Sequence, residues 1–194
     1  MALYKPHEGT LMKKQIAIAT AVAALVSAAV LKAVPAQAAT VETAFSPDGG
    51  AERLVLHTIS DARSSIRVMA YSFTSRTVVA SLIAARHRGV DVAVTVDYRN
   101  NIEEDRSGHA RAALNALVYA GIPVRTVSAF DLQHSKFLLV DDATVETGSF
   151  NYSQQAARYN SENVVVIHDA PVVATAFAAN WRDVTAKGMP YSAP

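Results

Sequence analysis

The stretch QHSKFLLVDDATVETGSFN, Gln133–Asn151, places His134 and Lys136 two apart, Asp141 five further on, and Gly148-Ser149 just before Phe150-Asn151. Two apolar, strand-like halves flank Asp141-Asp142-Ala143, so the stretch reads as a hairpin centred near Asp142. In that register the numbers of opposed residues sum to about 284. His134 then faces Phe150, and Lys136 faces Gly148. Side chains alternate along a strand, so His134 and Lys136 share one face, and Ser149 and Asn151 share one at the same level. An imidazole, an ammonium, a hydroxyl and a carboxamide gather at one end of the hairpin, and Gly148 leaves backbone room there.

That set of groups suits a phosphodiester. Lysine, serine and asparagine supply donors for non-bridging phosphate oxygens. An imidazole can attack phosphorus and split one hard displacement into two easier ones. From Ala39 onward there are twelve arginines but only two lysines, Lys136 and Lys187. A lysine where arginine is the default suits a point charge aimed at phosphate. No His-x-x-x-His and no carboxylate cluster stands at metal-ligand spacing, so this chemistry calls for no metal and no other cofactor.

Outward from the hairpin, strand-length apolar runs alternate with helical patterns. VETAF (41–45), SIRVMAYSF (65–73), VDVAVTVD (90–97), IPVRTVS (122–128) and NVVVIHD (163–169) read as extended segments. AERLVLHTISDA (51–62), SRTVVASLIAARHRG (75–89), GHARAALNALVYAG (108–121) and APVVATAFAANWRDVTA (170–186) read as helices, two of them stopped by glycine. The alternation predicts one α/β domain with a mixed, mostly parallel central sheet flanked by helices. YRNNIEEDRS (98–107) is the one long polar connection, a solvated link or a substrate-contacting loop behind a strand end.

Residues 1–38 read differently. Two lysines follow Met12, an apolar run spans Ile16–Leu31, and Ala36-Gln37-Ala38 follows Pro35, which together describe a signal peptide cleaved after Ala38. Met12 is a candidate start, with residues 1–11 an upstream extension. The remaining domain, 39–194, has 194 − 38 = 156 residues, enough to bury its own core without disulfides; the chain has no cysteine. Its charge is 14 basic against 16 acidic residues, about −2, so any contact with phosphate is local rather than a coating of nucleic acid. The expected location is periplasmic or secreted, with no stable membrane association after cleavage.

His134-x-Lys136-x4-Asp141-x6-Gly148-Ser149 resembles the HKD motif of the phospholipase D superfamily. Five fixed positions match, which chance supplies roughly once in ten thousand chains of this length. VETGSFN, NSENVVVI and the tryptophan-bearing last helix resemble the small bacterial Nuc-type endonucleases over about Thr40–Lys187. The resemblance implies that His134 is the nucleophile, that Lys136, Ser149 and Asn151 hold phosphate oxygens, and that Glu162 orients the histidine. Asp141 belongs to the catalytic signature, but its odd offset from His134 puts it at the turn, where a structural role is expected. The superfamily uses two such histidines. His57, His87, His109 and His168 all lack a lysine two residues on, so the resemblance implies a homodimer sharing one active site.

Three functions follow as expectations. The first is a metal-independent endonuclease acting on DNA or RNA. The second is a phospholipid phosphodiesterase or transphosphatidylase, and the third a nucleic-acid-binding module without catalysis. Arg99, Arg106 and Arg158 are candidates to steer a polyanion, and His109 and His168 read as non-catalytic. Tyr152 is a candidate base-stacking residue. Phe150 and Trp181 are read as packing residues.

Overall fold

The computed structural model describes residues 39–194, together with Met1 alone of the preceding segment. The leader expected over residues 1–38 lies outside the described residues. No described helix is long and apolar enough to cross a membrane.

The strands are β1 (Thr40–Ser46), β2 (Ser65–Ala70), β3 (Asp91–Asp97), β4 (Val124–Val127), β5 (Phe137–Val140), β6 (Thr144–Gly148), β7 (Glu162–His168) and β8 (Met189–Pro190). The helices are α1 (Gly50–Asp61), α2 (Arg76–His87), α3 (His109–Tyr119), α4 (Gln154–Arg158) and α5 (Pro171–Ala186). One sheet holds all eight strands in the order β1-β7-β6-β5-β2-β3-β4-β8. The expected mixed α/β architecture is present, but the balance of directions is not the expected one. Only β2–β3 and β3–β4 are parallel. The other five pairings are antiparallel. Full helical crossovers give parallel neighbours, and only α2 and α3 make them between adjacent strands; the five-residue α4 between the adjacent β6 and β7 sits in a short return that leaves them antiparallel. The hairpin and its return strand β7 then fill half the sheet antiparallel.

The hairpin register is the one read from the sequence. Phe137 pairs with Thr147 and Val140 with Thr144, and the intervening pairs share the same sum. The turn closes with Ala143 N–H on the Val140 carbonyl at 3.1 Å, and its central residues Asp141 and Asp142 stand at φ 53° and 52°. Two successive positive φ values are what a type I′ turn needs, and aspartate tolerates them better than most residues.

Every residue of β5 is buried, because both faces of the sheet are covered. Leu138 and Val140 belong to the main core with α1, α2 and α3, whereas Leu139 and Val145 pack with Ala174 of α5. Phe137 meets Phe177 of α5 edge to face, with ring centroids 4.9 Å apart. Trp181, read as packing, donates its indole N–H to the Val68 carbonyl at 3.2 Å and so ties α5 to β2. Helix α2 begins at Ser75, whose hydroxyl accepts the Val78 N–H at 3.3 Å. Gly89, at φ 94°, turns the chain after α2 into β3.

Candidate active site

His134 and Lys136 lie in extended chain just before β5, while Ser149 and Asn151 follow β6 directly. All four, with Glu162 at the start of β7, line one cleft of about 700 Å³ that Phe177 and Asn180 of α5 close from the side. The sequence placed these groups together and the fold does so. Asp141 stands apart, at the far end of the hairpin.

His134 is exposed to the cleft, and Lys136 is only 7% exposed. The lysine ammonium donates to the His134 carbonyl at 2.7 Å and sits against the imidazole, 3.0 Å from Nδ1 and 3.1 Å from Nε2. Burial pulls the Lys136 pKa below the usual lysine value, and the nearby Glu162 carboxylate partly opposes that.

Glu162 lines the cleft with His134, but its hydrogen bonds go to other groups. Its Oε2 accepts the Ser149 hydroxyl at 2.6 Å and its Oε1 the Asn160 amide at 2.8 Å; among the described residues it makes no hydrogen bond to His134. Within this chain Glu162 holds Ser149 rather than the histidine. The reason is register: Gly148 pairs with Val164, which sets Ser149 beside Glu162 and Asn163. Ser149 Oγ also accepts the Asn163 N–H at 3.0 Å, so its one proton and one lone pair are both engaged. Asn151 differs. Its Oδ1 takes the Ser72 N–H at 3.4 Å, which leaves the amide NH₂ as an unspent donor. Among the described residues, the Lys136 ammonium and the Asn151 amide are therefore side-chain donors of the cleft not committed to a carboxylate.

Gly148 is needed for a close approach. A Cβ there would lie 2.2 Å from the Asn163 carbonyl oxygen, so no side chain fits between β6 and β7.

Asp141 is a structural anchor. Its carboxylate accepts N–H groups of Arg63, Ser64 and Ser65 and the Ser64 hydroxyl, all at 2.8–2.9 Å. Partial burial raises its pKa, but those hydrogen bonds outweigh it and hold the acid below its ordinary value. The motif aspartate thus pins the hairpin turn to the entry of β2.

Three contributors escaped the sequence reading. Tyr71 lies with its ring centroid 4.4 Å from that of His134 and 5.1 Å from the Lys136 ammonium. Asp97 is buried, and its carboxylate takes the N–H groups of Asn100 at 2.6 Å and Gln133 at 2.9 Å, fixing the residue before His134. Asn101 is fully buried and bonds the Tyr71 and Asp97 carbonyls and the Phe73 N–H. Tyr71 and Asp97 close or follow parallel strands, where such sheets carry ligand residues, and that was the available signal. Asn101 sits in the polar connection read as a loop, part of which is a π-helical turn, Arg99–Glu103. Tyr152 does not stack on anything from outside: like Phe150 it is core, and its hydroxyl donates to the buried Glu146 at 2.7 Å.

Residues 55–182 match the family model described as cardiolipin synthase, PLD-like domain. The chain is 36% identical to a phospholipase D of Rickettsia bellii over 141 residues, 73% of this chain and 67% of that one. It is 29% identical to the mitochondrial cardiolipin hydrolase of Xenopus laevis over 126 residues, 65% of this chain and 57% of that one. Among solved structures it is similar to a phospholipase D family member, Nuc from Salmonella typhimurium. The TM-score is 0.76 at 45% identity, over 79% of this chain and 98% of that one.

Proposed function

The chain belongs to the phospholipase D superfamily as a phosphodiesterase, and we propose that it is exported and cuts nucleic acid through His134 without a metal ion. The observation that carries this reading is the cleft in which His134, Lys136 and Asn151 meet. A nitrogen of the His134 imidazole attacks phosphorus, the bond to the leaving oxygen breaks, and that oxygen takes a proton from a second imidazole. Water then attacks the phosphohistidine, gives its proton to the second imidazole and frees His134. Lys136 and Asn151 hold the non-bridging oxygens while charge gathers on them.

His134 is the one histidine lining this cleft among the described residues. The second imidazole is assigned to His134 of another copy, across a two-fold axis. Exposed Phe130 and Leu132, four and two residues before His134, give an apolar collar for that copy to cover. A monomer without the general acid would lose roughly 10²–10⁴ in rate. The apolar leader ahead of residue 39 supports a periplasmic or secreted location.

The test is nicking of supercoiled plasmid in excess EDTA by the wild type and by His134→Ala. Nicking by the wild type alone supports the proposal; nicking that EDTA abolishes contradicts it. Phospholipid diesters are a second reading, favoured by the names of the phospholipase D and cardiolipin hydrolase relatives. Turnover of cardiolipin vesicles with plasmid left intact would select it.

A further inference from the structure

A second cavity, of about 370 Å³, opens where the first turns of α2 and α3 meet α4, and Arg76, His109 and Arg158 line it. All three side chains are exposed and none joins an ion pair among the described residues. One carboxylate faces them, Glu52, whose Oε1 accepts the Thr77 hydroxyl at 2.6 Å. Two guanidiniums and an imidazole against one carboxylate leave the cavity positive. The start of α2, a helix of 12 residues, adds its partial positive charge. By contrast, Arg99 is paired with Glu104 at 2.8 Å, so of the arginines singled out in the sequence Arg158 is the one that joins a cluster.

This cavity is tied to the catalytic cleft through backbone. Ser72 N–H meets the Asn151 side chain, and the N–H groups of Thr74 and Ser75 both reach the Tyr152 carbonyl at 2.9 Å. Arg76 is four residues past Ser72, which bounds their Cα separation at roughly 14 Å. One nucleic-acid strand carries a phosphate every ~3.4 Å of axis, so a strand that leaves the cleft toward the cavity brings further phosphates past it. The cavity also runs into an apolar groove between α2 and α3 lined by Val79, Ile83 and Ala112, a surface on which a base can rest.

We infer that Arg76, His109 and Arg158 form a second phosphate subsite, which holds a flanking phosphate of the same strand whose scissile diester lies at His134. The inference rests on the nucleic-acid reading above and deepens it: the subsite selects a polymer of phosphates over an isolated diester.

The test measures binding of fluorescein-labelled oligothymidylates of two and ten nucleotides to the full chain carrying His134→Ala, with and without Arg76→Ala/Arg158→Ala. Removing the pair should weaken the ten-nucleotide probe roughly tenfold. It should also shrink the affinity gained on lengthening the probe. The salt slope, −0.7 per phosphate contact on a single strand, should fall by roughly 1.4. Arg76→Lys/Arg158→Lys should restore the slope, because it keeps the charge. An unchanged slope, or a slope that lysine does not restore, overturns the subsite. Weaker binding to vesicles containing phosphatidylglycerol, with oligonucleotide binding intact, overturns it in favour of a lipid surface. Wild-type nicking of plasmid is the separate control: if that fails, the nuclease reading itself falls, whereas an unchanged slope in an active nuclease removes only the subsite.

Discussion

The Lys136 ammonium donates to the main-chain oxygen of His134 at 2.7 Å and lies 3.0 Å from Nδ1 of the same residue. The positive charge is in place before any phosphate arrives, so no reorganisation is needed as charge develops. Lys136→Ala should lower the single-turnover cleavage rate of a labelled oligonucleotide by roughly 10²–10³. Lys136→Arg should recover little, because the site is only 7% exposed and a planar fork is wider than an ammonium. An arginine variant within tenfold of the wild type would contradict this placement.

Asn151 and Ser149 should separate on mutation. The Asn151 NH₂ is unspent, whereas the Ser149 hydroxyl is held by Glu162 at 2.6 Å. Asn151→Ala should cost about 100-fold in kcat, as loss of one oxyanion donor does, and Ser149→Ala about tenfold. The reverse ranking would mean that the hydroxyl turns away from Glu162 when substrate binds.

Gly148→Ala is expected to lower folding stability by at least ~3 kcal/mol, since its methyl group would lie 2.2 Å from the Asn163 carbonyl and push β6 from β7. Denaturant unfolding reads this directly; a loss under ~1 kcal/mol would contradict the close approach.

Glu146 gives the stability a pH dependence of known sign. Burial lifts its pKa from 4.5 to about 7, although hydrogen bonds from Tyr152 and Leu138 work the other way. Between those two values the folded state keeps a proton that the unfolded state has lost, so stability falls as pH rises through that window. Glu146→Gln should remove the fall, and the wild type should lose on the order of 2–3 kcal/mol relative to it between pH 4.5 and 7. Parallel pH–stability curves for the two proteins would count against a buried, protonated Glu146.

The hairpin was legible because its two halves, its turn residues and its motif all pointed to one register, and β5 and β6 pair in it. Asp141 was legible for the same reason: its odd offset from His134 took it off the catalytic face and onto the turn. Strand direction was misjudged because alternation of strands and helices reports crossovers, not which strands end up adjacent. β7 returns beside β6 and β1 beside β7 through pairings separated by up to 128 residues in sequence, Thr40 with His168, and no local pattern encodes them. Glu162 was identified as a site residue but not its partner, since its hydrogen bonds depend on the Gly148–Val164 pairing. Asp97 and Asn101 act through backbone groups of other segments, and Tyr71 through ring contacts with His134 and Lys136 more than sixty residues away in sequence, which leaves no spacing to read. The cluster of Arg76, His109 and Arg158 exists only once the starts of α2 and α3 and the end of α4 are brought together.

The central claim is covalent: His134 carries the phosphoryl group between the two steps. The direct measurement is rapid quenching of the full chain with a phosphodiester substrate in EDTA, at high pH where phosphohistidine survives, followed by peptide mass spectrometry. The account predicts the substrate-derived phosphoryl mass on the peptide containing His134, and none in His134→Ala. Substrate turnover in the same samples with His134 unmodified, or with the adduct on another residue, would contradict it.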